Sequence, residues 1–240
     1  MTGRELPPTP AFADDDGAAH PGLQAVLERF GRDEAGMLEV VTALVGTRVL
    51  VPVLAHELAP APPGPTAGER PAGASVVAVA APDGRTALPV FTSVGSLAAW
   101  RPQVRPMPVP VPRAAAAAIA QGWDLLVVDP AGPVTVVVPR PAVRALATGG
   151  TWEPAVREGA VRGQVRAAVV RAVSGVQAVV TADAVPGKGA EVAVLLSVRA
   201  GLTREALDAV VADVGTRLAA DAEVTAAVDS LELRVSDGGR

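Results

Sequence analysis

Two short turn signals, each set between runs rich in Val and Leu, constrain the fold of this chain more than any other feature. Pro82-Asp83-Gly84 separates Ser75–Ala80 from Ala87–Phe91, and Asp129-Pro130-Ala131-Gly132 separates Asp124–Val128 from Val134–Val138. Pro, Asp and Gly favour the backbone angles of tight turns, and β-branched runs on either side are typical of strands. The pattern therefore predicts two β-hairpins.

Helical patterns surround these hairpins. Apolar residues at helical spacing, or Ala-rich runs, predict short helices at Leu23–Phe30, Met37–Leu44, Leu97–Trp100, Ala114–Gln121 and Pro141–Ala147. Arg48–Ala55 is predicted to be a strand that Pro52 places at an edge or bends. Pro60–Gly73 has the composition of a linker, and the prolines of Pro102–Pro112 predict an extended segment near polyproline II.

Near residue 150 the proline content falls, and Thr148-Gly149-Gly150-Thr151 has the composition of a linker. Beyond it the pattern predicts, in order, a helix over Val156–Val173, strands at Val176–Ala182 and Glu191–Val198, a helix over Leu207–Leu218 with Thr203 as N-cap, and a strand at Leu231–Val235. We therefore expect an α+β protein. Its predicted parts are a disordered leader (1–20), an N-terminal domain (21–148) with a mixed, mainly antiparallel sheet and flanking helices, and a smaller α-β-β-α-β domain (153–236).

Composition narrows the possible functions. Half of the 240 residues are hydrophobic, the net charge is −4, and there is no cysteine. The charge argues against nucleic-acid binding, and the missing thiols exclude disulfides, thiolate metal sites and cysteine nucleophiles. Of the 21 basic residues only Lys188 is a lysine, a bias that predicts a high-GC, actinobacterial genome. Without a signal-peptide pattern or a long apolar run, we expect a cytoplasmic protein that does not bind membranes.

The residues that usually perform catalysis are sparse. The two histidines, His20 and His56, lie outside the best-defined elements, and no nucleophile elbow or zinc-hydrolase motif is present. Lys188 lies in Pro186–Gly189, between two predicted strands, where a hairpin turn explains it better than a phosphate-binding loop. Asp14–Asp16 has no fixed loop geometry to hold a cation. We therefore predict no catalytic residue, no cofactor and no metal.

One stretch of the N-terminal half resembles a known family. Its marks are Leu50-Val51-Pro52-Val53, Leu88-Pro89-Val90-Phe91-Thr92-Ser93 with Trp100 nearby, and Gly122-Trp123 leading into Asp129-Pro130-Ala131-Gly132. Across about residues 23–148 these are similar to the N-terminal domain of the SseB family, named for enhanced serine sensitivity. The family often has Asn where this chain has Asp129, and both residues suit such a turn. The order of elements in 153–236 resembles the family's second domain.

The resemblance implies a soluble bacterial protein of a family without an agreed biochemical activity. A rhodanese-like label sometimes given to the family does not fit a chain without cysteine. The motif supplies the candidate functional positions, which are Phe91, Thr92, Ser93, Trp100, Trp123, Asp129, Pro130 and Gly132. We expect Phe91 and Trp100 to anchor a small core, and Thr92 and Ser93 to cap the following helix, with a ligand or peptide site as the alternative.

The leading functional hypothesis is a non-enzymatic interaction or regulatory module that binds an unknown protein partner. The alternative is a small-molecule-binding protein with a site between its two domains, where ligand sites often occur. A third hypothesis is an enzyme that uses Asp, Ser and Thr side chains alone. The sequence predicts neither the partner nor the oligomeric state.

Overall fold

The computed structural model describes Phe12, residues 15–55 and residues 74–238. The predicted Pro60–Gly73 linker, His56 and most of the predicted leader lie outside these residues. Helices and mixed sheets make up the described chain, which confirms the α+β class. None of the helices in the described ranges is long and apolar enough to cross a membrane.

The elements of the N-terminal part follow the predicted order. Its helices are α1 (Pro21–Phe30), α2 (Met37–Leu44), α3 (Val94–Trp100), α4 (Val111–Ala120) and α5 (Arg140–Thr148). Its strands are β1 (Arg48–Ala55), β2 (Ala74–Val76), β3 (Val79–Ala80), β4 (Thr86–Val90), β5 (Arg105–Pro110), β6 (Leu125–Val128) and β7 (Val136–Val138). Both predicted hairpins form, as β3–β4 and β6–β7.

These strands form two sheets that meet at one bridge. The order is β2-β1-β5 in the first sheet and β3-β4-β6-β7 in the second, where β4 and β6 are parallel and the other pairs antiparallel. Leu50 of β1 and Phe91, just beyond β4, exchange two backbone hydrogen bonds of 2.7 and 2.9 Å. The predicted single strand Ser75–Ala80 is wrong, because β2 pairs with β1 while β3 pairs with β4.

Proline placement explains two further differences from the prediction. β1 is the central strand of its sheet rather than an edge strand. Pro52 lies between Leu50, which bridges to Phe91, and Val53, where the pairing with β2 begins. At that position β1 needs no backbone N–H donor, so a proline is tolerated. The proline-rich segment predicted near polyproline II is the edge strand β5, paired along its length with β1. Its prolines recur every second residue, so the missing N–H groups all fall on the outer edge of β5.

The C-terminal part has the predicted α-β-β-α-β order with two additions. Its elements are β8 (Val156–Arg157), β9 (Ala160–Val161), α6 (Gly163–Val173), β10 (Val179–Pro186), β11 (Val192–Val198), α7 (Arg204–Ala220), α8 (Ala222–Ala227) and β12 (Leu231–Asp237). The sheet order is β10-β11-β12, with β12 parallel to β11. Val169, Val194 and Val214, all fully buried, belong to its apolar core. The Oγ of Thr203 accepts from Ala206 N at 3.2 Å, which confirms the predicted N-cap.

The predicted helix over Val156–Val173 is wrong in its first half. Residues 156–161 form the small hairpin β8–β9, and the helix begins only at Gly163. Glu158 and Gly159 between the two strands both have positive φ, 53° and 76°. That pair of angles is typical of a tight hairpin turn and incompatible with a continuous helix.

The chain divides into two compact units. The first runs to Pro139 and includes Val143–Gly150, and the second comprises Arg140–Ala142 and Thr151–Arg240.

The boundary at residues 148–153 stays a prediction that limited proteolysis can test. We expect cleavage near residue 150, because α5 ends there at Gly149 with a φ of 68° and no regular element follows until β8. Fragments matching 21–148 and 153–236 are the expected products, seen by mass spectrometry. A resistant core spanning residue 150 would argue for one fused domain.

Candidate functional site

The two motif segments of the N-terminal unit meet where two parallel strands end. Phe91-Thr92-Ser93 follows β4, and Asp129-Pro130-Ala131-Gly132 follows β6. In the ladder Val90 is opposite Val128, so both strands end at the same level. The carboxyl ends of parallel strands are the usual place for functional loops in α/β sheets. The arrangement brings six of the eight candidate positions to one edge of the sheet.

Thr92 and Asp129 form the centre of this strand-end cluster. The backbone N–H of Thr92 donates to Oδ1 of Asp129 at 2.9 Å, and its hydroxyl donates to Oδ2 at 2.7 Å. Both residues are buried, with 4% and 6% of their surface exposed. The prediction that Thr92 caps α3 is therefore wrong, because its hydroxyl is committed to Asp129. The pair fastens the end of β4 to the end of β6.

The turn after β6 is held in an unusual backbone conformation. Asp129 and Ala131 have positive φ values of 48° and 63°, which non-glycine residues seldom adopt. The Asp129 carbonyl accepts from Gly132 N at 2.9 Å and from the Thr135 hydroxyl at 3.0 Å. A Cβ at Gly132 would lie 3.0 Å from that carbonyl oxygen, so glycine fits best there. Pro130 lies half-buried in the same turn.

Phe91 and Trp100 pack together, as predicted. Their ring centroids are 5.2 Å apart, and Phe91 is fully buried with Leu50, Leu97 and Val104 in a small core. Trp100 is only half-buried and carries the Arg101 guanidinium 4.4 Å from its ring centroid. Ser93 accepts from Ser96 N at 3.0 Å, which confirms it as the N-cap of α3. Phe91, Trp100 and Ser93 therefore have packing and capping roles in this part of the N-terminal unit.

Arg48 attaches the N-terminal segment to the strand-end cluster. Its guanidinium binds both carboxylate oxygens of Asp15, one at 2.8 Å, and also donates to the carbonyls of Thr92 and Ala18. Only 13% of the Arg48 side chain is exposed. Residues 15–20, predicted to belong to a disordered leader, are therefore part of the ordered N-terminal unit. This ion pair could not be predicted from local sequence patterns, because its partners are 33 residues apart.

The Arg48–Asp15 pair predicts acid sensitivity. The hydrogen bond from Arg48, helped by one from Gly17 N, holds the pKa of Asp15 below its ordinary value despite some burial. A carboxyl group with a lowered folded-state pKa adds stability above its unfolded pKa and loses it as the pH falls through the folded pKa. Asp15→Asn is expected to reduce the free energy of unfolding by about 1–2 kcal/mol at neutral pH. The difference from wild type should vanish in acid, as measured by urea unfolding at several pH values.

Asp16→Asn is the matched control, because Asp16 is exposed and accepts a hydrogen bond from Ala18 N at 2.8 Å. We expect it to change the unfolding free energy by less than about 0.5 kcal/mol. Equal pH profiles for the two variants would show that Asp15 contributes no special stability.

A second cavity, of about 370 Å³, adjoins the strand-end cluster. Its lining brings together the hydroxyls of Thr92, Ser93 and Ser96, and the carboxyl groups of Asp129 and Glu28. None of the residues that line it is His, Lys or Arg. The cavity has the groups to hydrogen-bond a small polar molecule, but Asp129 already has both oxygens occupied by Thr92.

A larger, apolar groove of about 480 Å³ lies elsewhere on the same unit and contains Trp123. Its floor is formed by the buried side chains of Val51, Leu88 and Ala114, and thus by both sheets and α4. Met107 is 43% exposed at the groove. Further lining residues are Phe12, Pro108, Val109, Pro110, Arg113, Ala117 and Gln121. Trp123 is thus separated from the other candidate positions.

Two further positions that were considered for catalysis lie within the described residues. His20 is exposed just before α1. The backbone N–H groups of Lys188 and Gly189 donate to the Glu232 carboxylate at 3.0 and 3.2 Å, in the predicted turn between β10 and β11. Among the described residues no group of three or more acidic or His side chains is placed to hold a metal ion.

Sequence reasoning missed one acid of the C-terminal unit, Glu191. Burial raises its pKa, although its carboxyl group accepts from Asp229 N at 2.8 Å and Ala155 N at 3.1 Å. A raised carboxyl pKa is often a sign of an active site. Here both oxygens bind backbone, so Glu191 holds two loops to the start of β11.

Comparison with known families agrees with this architecture. The family model for the SseB protein N-terminal domain matches residues 23–145, more than half of the chain. The chain therefore belongs to the SseB family. No curated protein and no solved structure matches it.

Proposed function

We propose that the chain is a cytoplasmic, non-enzymatic interaction module that binds an extended apolar segment of a partner protein in the groove beside Trp123. The observation that carries the proposal is the groove itself. A concave surface of about 480 Å³ with an apolar floor, an exposed Met107 and a half-buried Trp123 has the chemistry of a docking surface. Exposed apolar surface of this kind costs solubility, so proteins usually keep it for a partner.

The chemistry of the groove favours a peptide that docks through its side chains. Met107 is flexible and polarizable, and Trp123 offers a large flat apolar face with one N–H donor. Arg113 and Gln121 supply donors that suit peptide carbonyls. Because the prolines of β5 remove donors from its outer edge, a partner strand cannot pair there with a regular ladder. An extended, proline-containing segment needs no such ladder and fits an aromatic groove.

The strand-end cluster supports the non-enzymatic part of the proposal. General acid–base catalysis needs a group that can exchange a proton with substrate. Both oxygens of Asp129 accept from Thr92, and the pair is buried between two strand ends. The geometry of the Thr92–Asp129 pair suits a structural role, in which it holds the ends of β4 and β6 together.

Peptide selection tests the proposal. A library of short displayed peptides is selected on wild type, and the enriched peptides are titrated into Met107→Glu, which places a charge in the groove. Val180→Glu is the matched control, because Val180 is an exposed aliphatic residue in the C-terminal unit. We expect apolar, proline-containing peptides whose affinity falls about tenfold in Met107→Glu only. Equal binding to both variants, or no enrichment, would contradict the proposal.

The cavity at the strand ends supports a second candidate function, the binding of a small polar molecule. The hydroxyls of Ser93 and Ser96 and the carboxyl group of Glu28, around about 370 Å³, could select such a ligand. A melting-temperature screen against amino acids and nucleotides is the test, since a ligand at 100 times its Kd stabilises by about 2.7 kcal/mol. Glu28→Gln should abolish a shift that arises in this cavity. A shift that survives Glu28→Gln would place the ligand elsewhere.

A further inference from the structure

One residue that lines the apolar groove comes from the N-terminal segment that precedes α1. Phe12 is partly buried and contributes its side chain to the groove. Its carbonyl accepts from Asp15 N at 3.2 Å, and Asp15 is fastened to the domain by Arg48. The N-terminal segment is therefore held at a fixed point immediately beside the groove.

We propose that the resting occupant of the groove is the chain's own N-terminal segment, residues 1–12, which a partner must displace. The inference rests on the proposed function of the groove and adds its regulation. Phe12 is already in place as the first apolar anchor, and the eleven residues that precede it lie outside the described structure.

The composition of the segment matches the groove. Leu6-Pro7-Pro8-Thr9-Pro10-Ala11-Phe12 carries Leu and Phe at its ends and three prolines between them. In polyproline II geometry seven residues span about 20 Å. Prolines pack well on aromatic and apolar surfaces and lose little entropy on binding. The groove offers Trp123, Met107 and Pro108 as such a surface.

Tethering makes this occupant effective even when its intrinsic affinity is low. A segment joined to its site by a short stretch of chain has an effective concentration in the millimolar range. A free partner peptide must compete with it, so the apparent affinity of that peptide is its intrinsic affinity multiplied by the fraction of time that the groove is free. Occupation for about nine-tenths of the time corresponds to a tenfold loss. A modification or partner that draws the segment away would open the groove.

Site-specific photo-crosslinking tests the inference, and the absence of cysteine makes each introduced thiol the only one in the chain. Met107→Cys carries a benzophenone-maleimide probe in the groove, and Val180→Cys carries the same probe as the control. After irradiation at low protein concentration, adducts are mapped by mass spectrometry. We expect adducts within residues 1–11 from the Met107 position and none from the Val180 position. They should disappear in a chain that also carries Leu6→Ser and Phe12→Ser.

The partner peptides selected for the groove supply a second readout. They should bind the Leu6→Ser, Phe12→Ser chain about tenfold more tightly than wild type, with both chains equally stable. Absence of adducts to residues 1–11 from the Met107 probe overturns the inference. If the selected peptides still form adducts with that probe, only the inference fails. If they form none, the proposed function fails with it.

Discussion

Phe91→Ala is expected to lower the free energy of unfolding by about 4 kcal/mol. Phe91 is fully buried, and its ring packs with Leu50, Leu97 and Val104 where the two sheets of the N-terminal unit meet. Its backbone forms both hydrogen bonds of the only bridge described between those sheets. The truncation leaves a cavity that rigid strand backbones cannot close, so the loss includes both transfer and cavity terms.

Trp100→Ala is the matched control for this prediction. The Trp100 ring is in contact with Phe91 but half-exposed, so we expect a loss of only about 1–2 kcal/mol. Urea unfolding followed by circular dichroism measures both variants. A loss at Phe91 no larger than that at Trp100 would show that the small core does not hold the two sheets together.

Asp129→Ala is expected to cost about 3 kcal/mol. The substitution leaves the buried N–H and hydroxyl of Thr92 without their acceptors, and each unsatisfied group costs about 1–3 kcal/mol. Alanine at a φ of 48° adds strain of about 1 kcal/mol, whereas Asp and Asn tolerate this conformation.

Asp129→Asn tests whether the cost comes from lost hydrogen bonds and backbone strain or from the lost negative charge. An asparagine amide can accept from Thr92 N and donate to the Thr92 hydroxyl, in the same conformation. We expect a cost below about 1 kcal/mol, measured by the same unfolding experiment. A loss for Asp129→Asn as large as that for Asp129→Ala would mean that the negative charge itself is needed, and would favour a binding role for the strand-end cluster.

Local chemistry made part of the fold predictable. The hairpins around Asp83 and Asp129 follow from turn residues within four positions of one another, and the N-caps Ser93 and Thr203 lie next to the helices they stabilise. The false helix over 156–162 arose because Val161, four residues before Val165, continues the apolar pattern of α6. The Glu158-Gly159 turn outweighs that pattern, since both residues adopt positive φ.

Long-range pairing was not predictable from the same signals. No local sequence pattern predicts that β4 and β6 are parallel neighbours. The hydrogen bond between Thr92 and Asp129, which are 37 residues apart, could therefore not be predicted. The strand β5 was missed because its prolines are typical of polyproline II, and only the ladder with β1 explains their alternation. Trp123 was grouped with the motif by sequence, yet lines a separate groove.

The most direct measurement of the central claim, that the groove binds an extended apolar segment, is an anisotropy titration with a fluorescein-labelled peptide of residues 1–12. The peptide is titrated into wild type and into the chain that carries Leu6→Ser and Phe12→Ser, called the leader-substituted chain. It is also titrated into the leader-substituted chain with Met107→Glu added, and into the same chain with Val180→Glu added. We predict the tightest binding to the leader-substituted chain, unchanged by Val180→Glu and about tenfold weaker with Met107→Glu. Wild type should bind weakly, because its own segment competes. Binding that Met107→Glu leaves unchanged, or no binding to the leader-substituted chain, would contradict the account.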